Sequence, residues 1–194
     1  MAALRTLPDL LRPGLRVVFV GINPGAESAR QQHYYAHPGN GFWPALAASG
    51  LAGPAIGAPG AVLRPEDDRA MPARAGIGFT DVVKRVETDS SRVTDAELRA
   101  ALPAFRARIA YARPQAVCFA TTRGFRACFP GGGGPGRWGH QPSVPAAALS
   151  GAAVWLMPST SGRAAAYRPQ VQRVLRELAS WLGAADGETG AASA

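Results

Sequence analysis

Short apolar segments that alternate with helical segments are the feature of this sequence that most restricts its fold. Three runs, at residues 16–20, 116–120 and 153–157, are dominated by β-branched, aromatic and other apolar side chains. Runs of this length predict buried strands, and residues 79–83 predict a weaker fourth strand. Because helical patterns separate the runs, we expect an α/β fold, a three-layer α/β/α sandwich with a mostly parallel central sheet.

Three segments have helical patterns. Residues 94–97, Thr-Asp-Ala-Glu, form a capping box, which predicts a helix that begins there. Pro103 lies inside that helical pattern and predicts a kink. A shorter helix is predicted over residues 41–51. The last helix is predicted to begin at Pro169 and to end at Gly183.

The length of 194 residues indicates one domain, which we place over residues 1–183. Residues 52–60 and 130–136 are rich in glycine and proline and predict loops. Residues 184–194 are small and polar and predict a disordered tail. No apolar run approaches the ~20 residues that a membrane span needs, so we expect no membrane association.

The formal net charge of +8 favours a polyanionic partner, above all nucleic acid. A genomic bias toward arginine is the alternative source of this charge. The 21 basic residues comprise one lysine, Lys84, and therefore 20 arginines. Two cysteines cannot form a disulfide scaffold, so a reducing compartment, the bacterial cytosol, is expected.

Polar loops follow three of the predicted strands. Residues 21–25, Gly-Ile-Asn-Pro-Gly, follow the first strand, and residues 158–163 follow the strand at 153–157. Asp81 comes directly after Phe79-Thr80. Because ligands bind beyond the carboxyl ends of parallel strands, we expect these residues to lie at one site.

Four segments together resemble the mismatch-specific uracil/thymine DNA glycosylases of the uracil-DNA glycosylase superfamily. They lie in the family's order between about residues 13 and 182: residues 17–25, 36–43, 78–81 and 157–163. The resemblance implies an enzyme that flips a damaged base out of duplex DNA and hydrolyses its N-glycosidic bond. The implied substrate is uracil, and thymine or other modified pyrimidines, in double-stranded DNA with G·U or related mismatches.

The resemblance implies that Asn23 holds the attacking water. An amide is not a strong base and can only orient water by hydrogen bonds. Backbone N–H groups around Ile22 and Gly25 are the candidates for stabilising negative charge on the departing base. The alternative is an Asn-Pro-Gly turn with no chemical role.

Asp81 departs from the family pattern, in which an amide or a basic residue usually follows the corresponding Gly-x-Thr. A carboxylate here predicts a general base, which Asn23 cannot be, or a group that stabilises the positive sugar in the transition state. The alternative is the N-cap of a helix.

The remaining site residues are also implied by the resemblance. Tyr35 corresponds to the aromatic residue that stacks on the flipped base, and Tyr34 is the alternative if the register is shifted. Ser159 is expected to bind substrate. The loop that enters the DNA minor groove comprises Ser161, Gly162 and Arg163. Arg163 is the candidate for insertion or phosphate contact, and a solvated surface arginine is the alternative.

No metal and no cofactor are predicted, because His33, His37 and His140 do not form a ligand set. The single lysine argues against lyase activity, so we expect a monofunctional enzyme. We also expect the protein to be a monomer. Three rival functions remain: a single-strand-selective type of uracil glycosylase, a non-catalytic protein that binds damaged DNA, and a metal-dependent nucleotide-phosphate hydrolase. The first carries a histidine in its last motif, where this chain has none.

Overall fold

A computed structural model describes residues 4–53, 62–131 and 137–191. Five strands form one sheet in the order β2-β1-β3-β5-β4. Their bounds are β1 Val17–Gly21, β2 Ile77–Asp81, β3 Ala116–Phe119, β4 Gly139–His140 and β5 Ala153–Leu156. Among the pairings of these five described strands, only β4–β5 is antiparallel, which confirms the predicted mostly parallel sheet.

Six α-helices are formed by the described residues. Their bounds are α1 Ala26–Gln31, α2 Phe42–Ser49, α3 Met71–Arg74, α4 Asp95–Ala112, α5 Thr122–Cys128 and α6 Arg168–Ala191. Shorter 3₁₀ turns lie at Pro65–Arg69, Ser90–Arg92, Ala146–Leu149 and Gly162–Tyr167. None of the helices in the described ranges combines the length and the apolar character that a membrane crossing requires.

Helices cover both faces of the sheet, because successive side chains of a strand point to opposite sides. Val17 and Phe19 belong to a core cluster that includes buried residues of α2 and α6. Val18 and Val20 belong to a second cluster with buried residues of α4 and α5. The predicted three-layer α/β/α architecture is therefore confirmed.

The capping box is formed as predicted. Thr94 Oγ1 accepts a hydrogen bond from the Glu97 backbone N–H at 3.1 Å, and the Glu97 carboxylate accepts one from the Thr94 N–H at 2.7 Å. These bonds satisfy donors that the first turn of α4 leaves without helical partners. The helix continues past Pro103 to Ala112.

The structure changes two element boundaries. Strand β2 lies two residues before the predicted position, because residues 77–81 pair in register with β1 and Phe79 also exchanges backbone hydrogen bonds with Leu10. Asp81 therefore ends the strand. The helix end predicted at Gly183 is wrong, since α6 continues to Ala191 through a segment predicted to be irregular.

One strand was missed, and several predicted segments lie outside the described residues. Strand β4 is too short to produce a sequence pattern and was not predicted. Most of the loops predicted over residues 52–60 and 130–136, namely 54–60 and 132–136, lies outside the described residues, as do residues 192–194 of the tail. The domain boundary at residue 183 stays a prediction.

Two glycine substitutions test different features of the fold: Gly78→Ala tests the packing around β2, and Gly183→Ala tests the length of α6. A Cβ at Gly78 would lie 2.5 Å from Leu15 Cδ1 and 2.9 Å from the Leu10 carbonyl oxygen, so Gly78→Ala should lower the free energy of unfolding by about 2 kcal/mol. Gly183 has open space around it inside α6, so Gly183→Ala should raise that free energy by about 1 kcal/mol. Urea denaturation measures both, and a destabilised Gly183→Ala variant would contradict the continuous helix.

Candidate active site

The carboxyl ends of β1 and β2, with the loops around them, enclose a cleft of about 630 Å³. All nine residues predicted for the site line this cleft: Ile22, Asn23, Gly25, Tyr35, Asp81, Ser159, Ser161, Gly162 and Arg163. They come from four separate segments of the chain. The structure thus brings the predicted residues together, while the role of each stays a prediction.

Pairing between the two strands places the first motif beside Asp81. Gly21 and Asp81 are register partners at the ends of β1 and β2. The pairing extends beyond the strands, because Val82 and Val83 donate backbone hydrogen bonds to the carbonyls of Gly21 and Ile22 at 3.0 and 2.8 Å. A Cβ on Gly21 would overlap Asp81 Oδ1, so only glycine leaves room for this carboxyl group.

The side-chain amide of Asn23 is held in one orientation. Its Nδ2 donates to the carbonyl oxygens of Pro24, at 3.0 Å, and Glu87, at 2.7 Å. Both amide protons are thereby used, and Oδ1 has no hydrogen-bond partner among the described residues. Asn23 therefore presents an acceptor at the cleft, suited to a water proton.

Asp81 is a buried carboxyl group with a free oxygen. It is 4% exposed, and its Oδ2 has no hydrogen-bond partner in the described part of the chain. Burial raises the pKa of Asp81 to about 7. The positive charges of Lys84 and Arg108 lower this pKa, and the negative charge of Asp9 raises it. A carboxyl group with such a pKa can take up a proton near neutral pH.

The alternative role of Asp81 as a helix N-cap is wrong. In the described part of the chain no helix begins directly after this residue: the next helical turn is Ser90–Arg92, and Asp89 caps it. The segment that follows Asp81 instead continues the hydrogen bonding to the loop after β1.

A polar network that the sequence did not suggest lies around β2. Asp9 Oδ1 accepts hydrogen bonds from Thr80 Oγ1 at 2.6 Å and from Lys84 Nζ at 2.8 Å. Arg108 Nη2 donates to the main-chain carbonyl of Asp81 at 2.7 Å. Asp9 and Arg108 lie far from the motifs along the chain, and only the fold reveals their connection to Asp81.

Tyr35 is the aromatic residue held at the cleft in a constrained backbone conformation. Its φ of 54° lies in the left-handed region, which is costly for a residue other than glycine. Its ring stacks on Phe42 with centroids 4.1 Å apart, so only the opposite face is available for a base. The hydroxyl group is buried and has no partner in the described chain.

Tyr34 also borders the cleft but is fixed in the core. It is 3% exposed, and its hydroxyl donates to the Pro8 carbonyl at 3.0 Å. Its backbone N–H donates to Asp68 Oδ2 at 2.8 Å, while Asp68 Oδ1 lies 2.9 Å from His33 Nδ1. The buried Asp68 thus anchors the segment that presents Tyr35.

The loop over residues 159–163 forms the outer wall of the cleft. Ser159 Oγ lies 3.1 Å from Ser161 Oγ and accepts a 3.3 Å hydrogen bond from the Ser161 N–H. Gly162 lies against the Gly39 carbonyl, which a Cβ would approach to 3.3 Å. Arg163 is exposed, with its Nη1 3.7 Å from Asp89 Oδ1.

His33 and His37 each contact a different partner and do not face a shared metal site. His33 pairs with Asp68, and His37 Nδ1 accepts the Gly39 N–H at 3.0 Å. Within the described ranges, no group of three or more His, Cys, Asp or Glu side chains is arranged to hold a metal ion.

The family model of the uracil DNA glycosylase superfamily matches residues 8–182, and the chain belongs to this superfamily. Its structure is similar to the solution NMR structure of a candidate uracil DNA glycosylase from Methanosarcina acetivorans. The two are 22% identical with a TM-score of 0.55, and the match covers 91% of this chain and 99% of that one. This likeness shows a shared fold.

The raised pKa of Asp81 predicts a cost in stability at neutral and alkaline pH. The unfolded carboxyl ionises near pH 3.8 and the folded one near 7, so wild-type stability falls as pH rises between these values. Asp81→Asn removes this cost and should raise the free energy of unfolding by about 4 kcal/mol at pH 8. Near pH 4 the gain should almost vanish. Urea denaturation at both pH values measures it, and an equal effect at both would contradict the raised pKa.

The network around β2 predicts opposite effects of two substitutions on Asp81. Lys84→Met removes a cation and should raise the pKa of Asp81 above about 7, whereas Asp9→Asn should lower it. A pH titration of the Asp81 carboxyl ¹³C chemical shift measures both. Arg106→Met, on the exposed face of α4, is the control with the same loss of charge. A shift of equal size in this control would show that net charge, not the network, sets the pKa.

Proposed function

We propose that this protein is a monofunctional uracil-DNA glycosylase that removes uracil from mismatched double-stranded DNA and leaves an abasic site. Superfamily membership supports uracil glycosylase activity. The observation that carries the proposal is that Asn23 and Asp81 line one cleft, and that neither Asn23 Oδ1 nor Asp81 Oδ2 has a hydrogen-bond partner among the described residues. A preference for G·U pairs is supported by the four motifs and by the lower cost of flipping a mismatched base.

Asn23 and Asp81 have different roles in activating the attacking water. Asn23 Oδ1 accepts one proton of the water in a hydrogen bond and orients the oxygen toward the anomeric carbon of the flipped nucleotide. As the C–O bond forms, the N-glycosidic bond breaks and its electron pair passes to the uracil ring. The second water proton goes to Asp81, whose pKa of about 7 suits a general base at neutral pH.

The leaving uracil and the sugar need opposite electrostatic support. The ionised Asp81 also stabilises the positive charge that develops on the sugar. Backbone N–H groups near Ile22 and Gly25 stabilise the negative charge on the departing base. Tyr35 stacks on the base with the ring face that Phe42 leaves free, a contact worth about 1–3 kcal/mol.

The position of Lys84 supports the absence of lyase activity. Cleavage of the sugar backbone through a Schiff base needs an amine nucleophile. Lys84 is the only lysine of the chain, its Nζ is bound to Asp9 at 2.8 Å, and it is not among the described residues that line the cleft. The product is therefore an intact abasic site.

DNA binding is assigned to the exposed rim of the cleft. The net charge of +8 provides sequence-independent attraction to phosphates. Ser161, Gly162 and Arg163 project from the outer wall, and Arg163 inserts into the duplex or contacts a phosphate. The small residues beside Arg163 supply no large apolar wedge, so recognition of the opposite guanine is expected to be loose.

Base release from a labelled duplex with one G·U pair, measured in EDTA, tests the proposal. Wild type should produce alkali-labile sites, and Asp81→Asn should lower the rate by roughly 10²–10⁴. Asn23→Ala should also be severely impaired. Glu66→Gln, which neutralises an exposed carboxylate on the turn at 65–69, is the matched control and should retain the wild-type rate.

Parallel substrates separate the rival functions. Faster release from G·U than from A·U or single-stranded uracil is expected for a mismatch enzyme, and equal or faster release from single strands would favour the single-strand-selective type. Binding of G·U duplex that survives Asn23→Ala, without base release by wild type, would identify a non-catalytic sensor. Loss of activity in EDTA would favour the metal-dependent hydrolase.

The general-base role also predicts the pH dependence. Only the ionised form of Asp81 accepts a proton, so the single-turnover rate should rise tenfold per pH unit below about 7 and level off above it. Asp81→Asn should remove this rise of the rate with pH. A flat wild-type profile between pH 5 and 8 would contradict proton transfer to Asp81.

A further inference from the structure

A second cavity, of about 280 Å³, lies beside the cleft. Asn40, Ser159 and Thr160 line both spaces and so form a shared wall. A hydrogen bond joins the two segments of this wall: the Gly41 N–H donates to the Thr160 carbonyl at 2.8 Å. The other side of the cavity is formed by the start of α2 and the first turns of α6.

A cation without a partner lines this cavity. Arg168 is the first residue of α6, and its Nε lies 3.5 Å from the position that a Cβ on Gly41 would take. Its side chain makes no hydrogen bond or ion pair with the described residues. Two neighbouring arginines differ in this respect, because Arg173 pairs with Glu177 at 2.7 Å and Arg163 lies near Asp89.

A buried amide without a partner lines the same cavity. Gln172 lies one turn after Arg168, and its Nε2 is inaccessible to solvent and has no hydrogen-bond partner in the described chain. Such a group lowers stability unless a ligand satisfies it. The guanidinium and this amide are both donors, and the N-terminal end of a long helix adds positive potential. Together they suit an oxyanion.

We propose that this cavity binds a phosphodiester oxygen of the DNA strand that carries the flipped nucleotide, an inference that rests on the proposed function. Arg168 supplies charge from the exposed side, and a rotation of the Gln172 amide toward the cavity lets its Nε2 donate from the buried side. The shared wall explains why the two sites act on one strand: the flipped nucleotide enters the cleft while a neighbouring phosphodiester occupies the second cavity. The pair of sites fixes the register of the strand.

Binding of a fluorescent duplex with one G·U pair tests this site, in an Asn23→Ala background that leaves the uracil attached to the DNA. Arg168→Met should weaken binding about tenfold and reduce the slope of log affinity against log salt by about 0.9, the value for one phosphate. Arg176→Met removes an exposed arginine two turns further along α6, outside the cavity, and should leave both quantities unchanged. Equal effects of the two substitutions would overturn the proposal.

Gln172→Leu separates a ligand site from a structural contact. Loss of the amide should weaken DNA binding several-fold without changing the salt slope, because no charge is removed. The melting temperature of the free protein should stay the same or rise, because a buried group without a partner is removed. A lower melting temperature together with unchanged DNA affinity would overturn the role of Gln172.

Single methylphosphonate substitutions identify the phosphate. Replacing one charged phosphodiester near the uracil should weaken binding at a particular position, and Arg168→Met should abolish that loss. Equal losses at every position with and without Arg168 would overturn the proposal. So would calorimetric binding of inorganic phosphate that depends on Arg168 without any such coupling, since the cavity would then hold a free anion.

Two results distinguish this inference from the proposed function. If the protein with Asn23 intact releases uracil but shows no coupling between Arg168 and a phosphate, only the second site is overturned. If it neither binds the G·U duplex nor releases uracil, the proposed function fails and the second site fails with it.

Discussion

The parallel pairing of β1 with β2 is the interaction on which the cleft depends. It sets Gly21 opposite Asp81, and the absence of a side chain at Gly21 gives the carboxyl group its space. The same pairing continues into the loop after β1 and so fixes the backbone on either side of Asn23. A one-residue slip would turn Asp81 to the other face of the sheet, because strand side chains alternate.

The ionisation of Asp81 follows from a balance between burial and charge. Burial disfavours the carboxylate, and Asp9 adds a like charge, while Lys84 and Arg108 favour ionisation. The outcome is a pKa near neutrality in a group whose Oδ2 has no internal partner. A protein built only for stability would avoid such a group, whereas an enzyme that moves a proton at neutral pH needs one.

The opposite wall of the cleft is held by contacts between segments that are distant along the chain. The Gly41 N–H donates to the Thr160 carbonyl, and Gly162 lies against the Gly39 carbonyl, which a Cβ on Gly162 would approach to 3.3 Å. Residues 37–41 and 159–163 therefore act as one surface. Tyr35 is positioned through the adjoining segment, which the buried Asp68 anchors.

The sequence by itself determined four of the five strands of the described chain, three of its six helices (α2, α4 and α6) and the motif residues of the cleft, because apolar periodicity and loop composition are local properties. It predicted the α4 capping box and the meeting of Asn23 with Asp81, since parallel strands bring their carboxyl ends together. It could not exclude a helix cap at Asp81, nor reveal α1, α3, α5, β4, the extension of α6, or the network of Asp9, Lys84 and Arg108. Those features depend on contacts between residues far apart in the chain, so only the tertiary structure decided them.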